Sequence, residues 1–326
     1  YMTHLLKARF YSKLLLFSLL VPLTTQAQKQ LNNTQLPLDP AVKTGKLSNG
    51  FTYYIRKNQE PANRVTMYLA VKAGSVLEDD DQQGLAHFME HMSFNGTKHF
   101  PKNELVSYLQ KSGVRFGADL NAYTSFEETV YQLPLPSDKP EILKNGIQIL
   151  RDWAQEASLD AEEIERERGV IIEEKRLRLG GQKRMQDLYY PMLFNHSRYA
   201  YRLPIGTDEV LKGFKPETIR RFYQDWYRPS LQALIVVGDI DPAAIEQQIR
   251  QKFADLKEPA KPKAWSRPQV PLTGKNQFMA LTDREMTGTV AQVIIKHPGF
   301  ALRTKADYRA AIVRQLFNNM LRTRFT

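Results

Sequence analysis

The sequence predicts an α+β fold, an antiparallel sheet flanked by helices. Three observations carry that expectation. Short alternating, β-branched runs such as 64–74 stand near tight-turn signals such as Asn49-Gly50. Longer runs have helical periodicity; residues 140–157 set Ile142, Leu143, Ile147, Leu150 and Trp153 on one face. A strict strand–helix–strand repeat is absent.

The chain opens on an export-like segment, residues 1–27. Lys7, Arg9 and Lys13 precede an apolar run at 14–23, and Thr25 and Ala27 are small residues suited to cleavage after Ala27. The run is about ten residues long, whereas a membrane span needs about 20. An uncleaved anchor is the alternative. Residues 28–45 are polar and Pro-containing and read as an extended arm.

A first domain is expected over 46–258. Residues 46–56 read as a strand entered through Asn49-Gly50, with 64–74 as its partner. An acidic loop, Glu78-Asp79-Asp80-Asp81, leads into a helix that Asp81 or a neighbour can cap, and a loop with Asn95-Gly96 ends it. Residues 102–112 form a short amphipathic helix, 117–126 and 128–134 two more strands, and 140–157 a helix. Asp160-Ala161-Glu162-Glu163 opens another helix with a capping-box-like pattern, running to Arg176. The region 180–207 is rich in loop residues; then come a helix at 216–227, a buried strand at 231–240 and a closing helix at 241–253. Residues 259–275 are a Pro- and Lys-rich linker. A strand at 288–296 and a helix at 305–322 read as the start of a second, incomplete α+β repeat, 276–326.

Composition narrows the function. With 42% hydrophobic and 25% charged residues the chain is ordinary for a globular protein. Losing Lys7, Arg9 and Lys13 lowers the formal net charge from +11 to +8, and the remaining charge is spread over mixed-sign helices. No basic block is interleaved with aromatics, so nucleic acid is not an expected partner. No cysteine is present, which excludes disulfides and attachment of lipid at a signal-peptide cysteine. An exported protein without cysteine suits a Gram-negative periplasm or cell envelope. No later stretch is apolar enough to hold the chain in a bilayer after signal cleavage.

The chemistry concentrates in His87-Phe88-Met89-Glu90-His91. On a helix, the two histidines stand one turn apart on one face with Glu90 beside them. Two imidazoles so placed can share a tetrahedral Zn²⁺, and a glutamate beside them can act as general base toward a metal-activated water. The order is that of the zinc-peptidase motif reversed, the inverzincin signature. A lone His-x-x-x-His is more often a surface or core pair. Here, however, the chain holds only six histidines, and Leu85, Phe88, Met89 and Met92 make the segment apolar enough to be buried. A buried His-His-Glu cluster without a metal or partner is costly.

Together with Asn95-Gly96-Thr97, the run Gly117-Ala118-Asp119-Leu120-Asn121-Ala122-Tyr123-Thr124 and the helix from Glu167 to Glu174, the motif resembles the pitrilysin/insulinase-like zinc peptidases, which include mitochondrial processing peptidases and bacterial periplasmic relatives. The likeness covers about 45–260 and, more weakly, the start of a second repeat after 275. It implies repeated α+β peptidase domains in two halves around a chamber. It implies a zinc-dependent endopeptidase acting on peptides or unfolded polypeptides. His87, His91 and Glu174 would be the zinc ligands, Glu90 the general base, and Glu167, seven residues before Glu174, a supporting catalytic carboxylate. The strand with Asn121, Ala122 and Tyr123 would receive substrate by strand addition. One departure is the gap of 83 residues from His91 to Glu174, somewhat longer than in better-known members. The expected partners are a peptide substrate and a second peptidase half, supplied by further chain or another subunit. The alternative is a non-catalytic subunit that lends half of a chamber.

Overall fold

The computed structural model describes residues 34–102, 104–114, 121–299 and 301–325. The export-like segment and residues 117–120 of an expected strand lie outside these. Ala41–Ile294 form one compact unit, and residues drawn from Tyr1–Pro40 and Ile295–Thr326 form a smaller one.

The larger unit is built on a six-stranded sheet in the order β1-β2-β6-β3-β5-β4. Its strands are β1 (Val42–Lys46), β2 (Thr52–Lys57), β3 (Arg64–Val71), β4 (Asn121–Thr124), β5 (Thr129–Pro136) and β6 (Gln232–Gly238). The α+β class expected from sequence is what the chain adopts, with a mixed rather than wholly antiparallel sheet: β2 and β6 run parallel. That pairing needs a long crossover, which the helices between 140 and 226 provide.

Two sequence expectations are corrected here. β3 does not pair with β2; β6 lies between them, antiparallel to β3, so Leu69 stands opposite Leu234. β6 wins this place because Leu234 and Val236 alternate into the core beside Ile55 and Met67. The arm expected over 28–45 ends earlier, since Val42–Lys46 pairs with Arg56–Thr52 as β1. Gly45 and two lysines mask that strand's β pattern.

Alternation sets the core. Val65, Met67, Leu69 and Val71 of β3 are buried while their neighbours are half exposed, and β6 repeats the pattern. Each such side chain stabilises by about 1.5–3 kcal/mol on burial. Around the sheet stand α1 (Leu85–Met92), α2 (Glu104–Lys111), α3 (Pro140–Gln155), α4 (Ala161–Leu177), α5 (Gly181–Leu193), α6 (Asp208–Gly213), α7 (Pro216–Trp226) and α8 (Pro242–Phe253), of which α1, α3 and α8 pack most closely on its strands. In α3, Ile147, Leu150 and Trp153 are fully buried, as its apolar spacing predicts. α5 occupies what sequence alone suggested was a loop-rich region; Gly180-Gly181 and the internal Pro191 hide it. The residues after α8 are anchored by side chains: Lys263 pairs with Asp79, Arg267 with Glu127, and Asp283 with Arg184.

In the smaller unit, α9 (Lys305–Phe325) starts with a reciprocal cap, Thr304 N to Asp307 Oδ2 at 2.8 Å and Asp307 N to Thr304 Oγ1 at 3.1 Å. Gln35 bridges Thr304 in antiparallel fashion. The strand expected at 288–296 is not formed. Val290, Val293 and Ile294 are exposed, and no described strand lies alongside to take up their backbone groups.

Candidate metal centre

The site begins with how α1 is held. Its first residue follows Gly84, whose φ is +101°, and a Cβ there would meet the Cα of Gly206 at 2.8 Å. Side chains are excluded on both grounds. The free N–H groups of the first turn are taken by Glu78, with Oε2 accepting from Gly84 N at 3.0 Å and Oε1 from Ala86 N at 2.8 Å. The cap expected at Asp81 or a residue beside it thus belongs to Glu78, at the start of the same acidic loop. Burial pushes the Glu78 carboxyl up, to about 8, while the two N–H groups and the nearby Arg202 and Arg198 pull it down.

α1 runs through the core with Phe88 and Met89 fully buried. It therefore carries His87 and Glu90 inward and leaves His91 half exposed. The imidazoles of His87 and His91 meet edge to face, ring centres 4.8 Å apart. α4 crosses nearby, capped by Asp160, which accepts from Glu162 N at 2.9 Å, and anchored by buried Ile164 and Ile171. Glu167 and Glu174 share its inner face because they are two turns apart.

Glu174 Oε2 lies 3.6 Å from Nε2 of His87 and 3.5 Å from Nε2 of His91. Its other oxygen, Oε1, accepts from Arg178, one turn further on. Glu167 Oε1 is 2.7 Å from Nδ1 of His91, and its Oε2 accepts from Asn95 Nδ2 at 2.5 Å. Glu173 faces outward and pairs with Arg176. Glu90 Oε2 accepts from the Thr124 hydroxyl at 2.5 Å.

These contacts set protonation. Burial, then the charge of His91, pushes His87 down to about 4, so its ring is neutral near neutral pH. Burial lowers His91 as well, but the bond and charge of Glu167 outweigh it and its pKa is raised. Burial raises Glu167, and the bonds from His91 and Asn95 turn the balance below the usual carboxylate range. Burial raises Glu90 against the pull of Thr124.

The donors fit a zinc ion. One atom each of His87, His91 and Glu174 lies within 4.8 Å of the others, the single such group among the described residues. Ligands at about 2.0–2.1 Å from a tetrahedral zinc stand about 3.3 Å apart, close to the two separations above. Two imidazole nitrogens and one carboxylate oxygen suit zinc with a fourth position open. Glu167 on Nδ1 of His91 fixes the tautomer whose Nε2 is a free donor. Nδ1 of His87 is buried without a hydrogen-bond partner, so Nε2 is that ring's outlet.

Asn121, Ala122 and Tyr123 lie on β4, which among the described residues pairs only with β5 and so forms the sheet's edge. Tyr123 is exposed and donates to Glu128 at 2.9 Å. Thr124, the next residue, reaches Glu90. Sequence reasoning gave no role to Thr124, Asn95, Arg178 or Glu78. The i, i+4 spacing of Glu174 and Arg178 was a readable signal; the other three act across elements.

Residues 53–189 match the family described as Insulinase (Peptidase family M16), and residues 213–324 the one described as Peptidase M16 inactive domain. The chain is 34% identical to a zinc protease PQQL-like of Arabidopsis thaliana over 93% of its own length and 32% of the relative's. It is 34% identical to the probable zinc protease PqqL of Haemophilus influenzae, over 95% of its own length and 33% of that protein's. It thus spans about a third of these relatives. Among solved structures, it superposes on the first half of the periplasmic protease PqqL from Escherichia coli with a TM-score of 0.67 and 37% identity, covering 72% of this chain and 50% of that one.

Proposed function

The chain belongs to the insulinase family of peptidases, M16, and on that premise we propose that it carries the zinc centre of an endopeptidase that hydrolyses peptides or unfolded polypeptides. One observation carries the reading: His87 Nε2, His91 Nε2 and Glu174 Oε2 converge, with the Glu90 carboxylate buried beside them. When bound, zinc supplies Lewis acidity that polarises a peptide carbonyl and acidifies water. Glu90 takes the proton and passes it to the leaving amine, with the Thr124 hydroxyl fixing the carboxylate through Oε2. A carboxyl raised by burial is suited to both transfers. Glu167 holds His91 in place as a ligand.

The edge of β4 away from β5, unpaired among the described residues, is the surface we assign to the substrate backbone, with Asn121, Ala122 and Tyr123 alongside. The superposed E. coli structure is half of its protein, which supports a second half facing this one. That relative is described as periplasmic, which supports an exported protein. Among the described residues no helix is long and apolar enough to cross a membrane.

The test joins two readouts on the full chain. After dialysis against zinc, wild type and Glu90→Gln both retain one equivalent, and only wild type cleaves an unfolded peptide, alone or with its second half supplied. Cleavage by Glu90→Gln at the wild-type rate overturns the assignment of the base. Failure of the wild type to retain zinc favours a non-catalytic subunit.

A further inference from the structure

Beyond α1 the chain turns sharply. Asn95 N still bonds Met92 O at 3.1 Å, and Gly96 follows with φ at +124°. A Cβ on Gly96 would stand 2.9 Å from Lys102 N, so the turn closes on itself. The next residues are fastened to the end of α3. Asp152, fully buried, accepts from the Thr97 hydroxyl at 2.7 Å and from His99 N at 3.1 Å, and its other oxygen lies 2.8 Å from His99 Nδ1. Lys98 N bonds Glu156 O at 3.0 Å, and Ser158 N bonds Gly96 O at 3.1 Å. This short loop therefore has little freedom, although it follows a helix end.

From this fixed point the Asn95 amide donates to Glu167 Oε2 at 2.5 Å. The opposite oxygen of the same carboxylate meets Nδ1 of His91. Without Asn95, Glu167 is held at one oxygen only and its carboxylate can rotate. An amide suits the place because it donates at every pH. An aspartate of the same shape would set two carboxylates at hydrogen-bond distance.

We propose that Asn95 is a positioning residue of the metal centre: it locks Glu167, and through Glu167 it keeps the Nε2 lone pair of His91 aimed at the ion. This rests on the zinc-centre reading above. Partners one step outside the ligands change metal affinity about 10–100-fold. Asn95 stands one step further out, so the effect expected is about tenfold, at the lower end of that range.

Cobalt(II) is the probe, because its visible spectrum reports ligand geometry directly. In the full chain, Asn95→Ala and Asn95→Asp should each weaken cobalt binding about tenfold and alter the visible band. A packing role would spare Asn95→Asp, which keeps the shape. Placed on Glu167→Ala, Asn95→Ala should add no further loss, because two residues acting through one link are not additive. Wild-type affinity and spectrum in both Asn95 variants overturn the inference, and so do losses that simply add on the Glu167→Ala background. A wild-type chain that binds no cobalt overturns the zinc-centre reading and this inference with it.

Discussion

At Glu174 one carboxylate oxygen faces a guanidinium and the other faces two imidazoles. Its neighbour Glu173 pairs with Arg176 on the outer face. A single residue step around the helix thus separates a ligand candidate from a solvated charge. Glu174→Gln should therefore abolish tight zinc binding, Glu167→Gln should weaken it about 10–100-fold, and Glu173→Gln should leave it unchanged, as read by chelator competition. If Glu173→Gln proves as damaging as Glu174→Gln, the helix face has been assigned wrongly. At this scale the sequence was informative where chemistry is local: His87, Glu90 and His91 lie on one helix, and Glu167 and Glu174 on another. It carried Asn95 and Thr124 only as members of motif runs and assigned them no contact with Glu167 and Glu90, which they reach from other elements. No spacing along the chain encodes such a meeting.

Among the elements, α1, α3, α4, α7 and α8 were readable because each has a long apolar stripe, a cap or a proline at its start. β1 was not, because it is short, exposed and lies at the sheet edge opposite β4. Besides the shared core, a charged clamp ties β1 and β2 to α8. Glu246 of α8 pairs with Lys43 and Arg250 and accepts from the Tyr53 hydroxyl at 2.5 Å. Lys43, then Tyr53, draws the Glu246 carboxyl down from 4.5 to about 2. A depressed carboxylate contributes stability that is present above its ordinary value and is lost as pH falls from there through the folded value. Glu246→Gln should thus melt lower than wild type above pH 4.5, and the two curves should converge as the pH approaches 2. The gap will be modest, about 2–4 °C, since the clamp is partly solvated. A gap that widens in acid would contradict the clamp.

For the whole molecule, the α+β class was legible from pattern, but the strand order was not. Alternation says which face of a strand is buried; it does not say which strand stands beside it. The order matters because β2 and β3, neighbours in sequence, are held apart by β6, the last of the described strands along the chain. A nascent chain therefore carries every side chain of the candidate metal centre well before the sheet behind them can close. Until residues 232–238 emerge, β2 and β3 have no shared neighbour, and the sheet whose β5 and β4 lie under α1 is incomplete. Such distant pairing is slow and leaves unfinished edges open to wrong partners. A chain ending at residue 225 keeps His87, Glu90, His91, Glu167 and Glu174, yet it should show no cooperative melt and no stoichiometric zinc. If it binds zinc as the longer chain does, the centre assembles without its sheet. Otherwise biosynthesis itself sets a timetable: the proposed centre can take up an ion only after β6 has arrived.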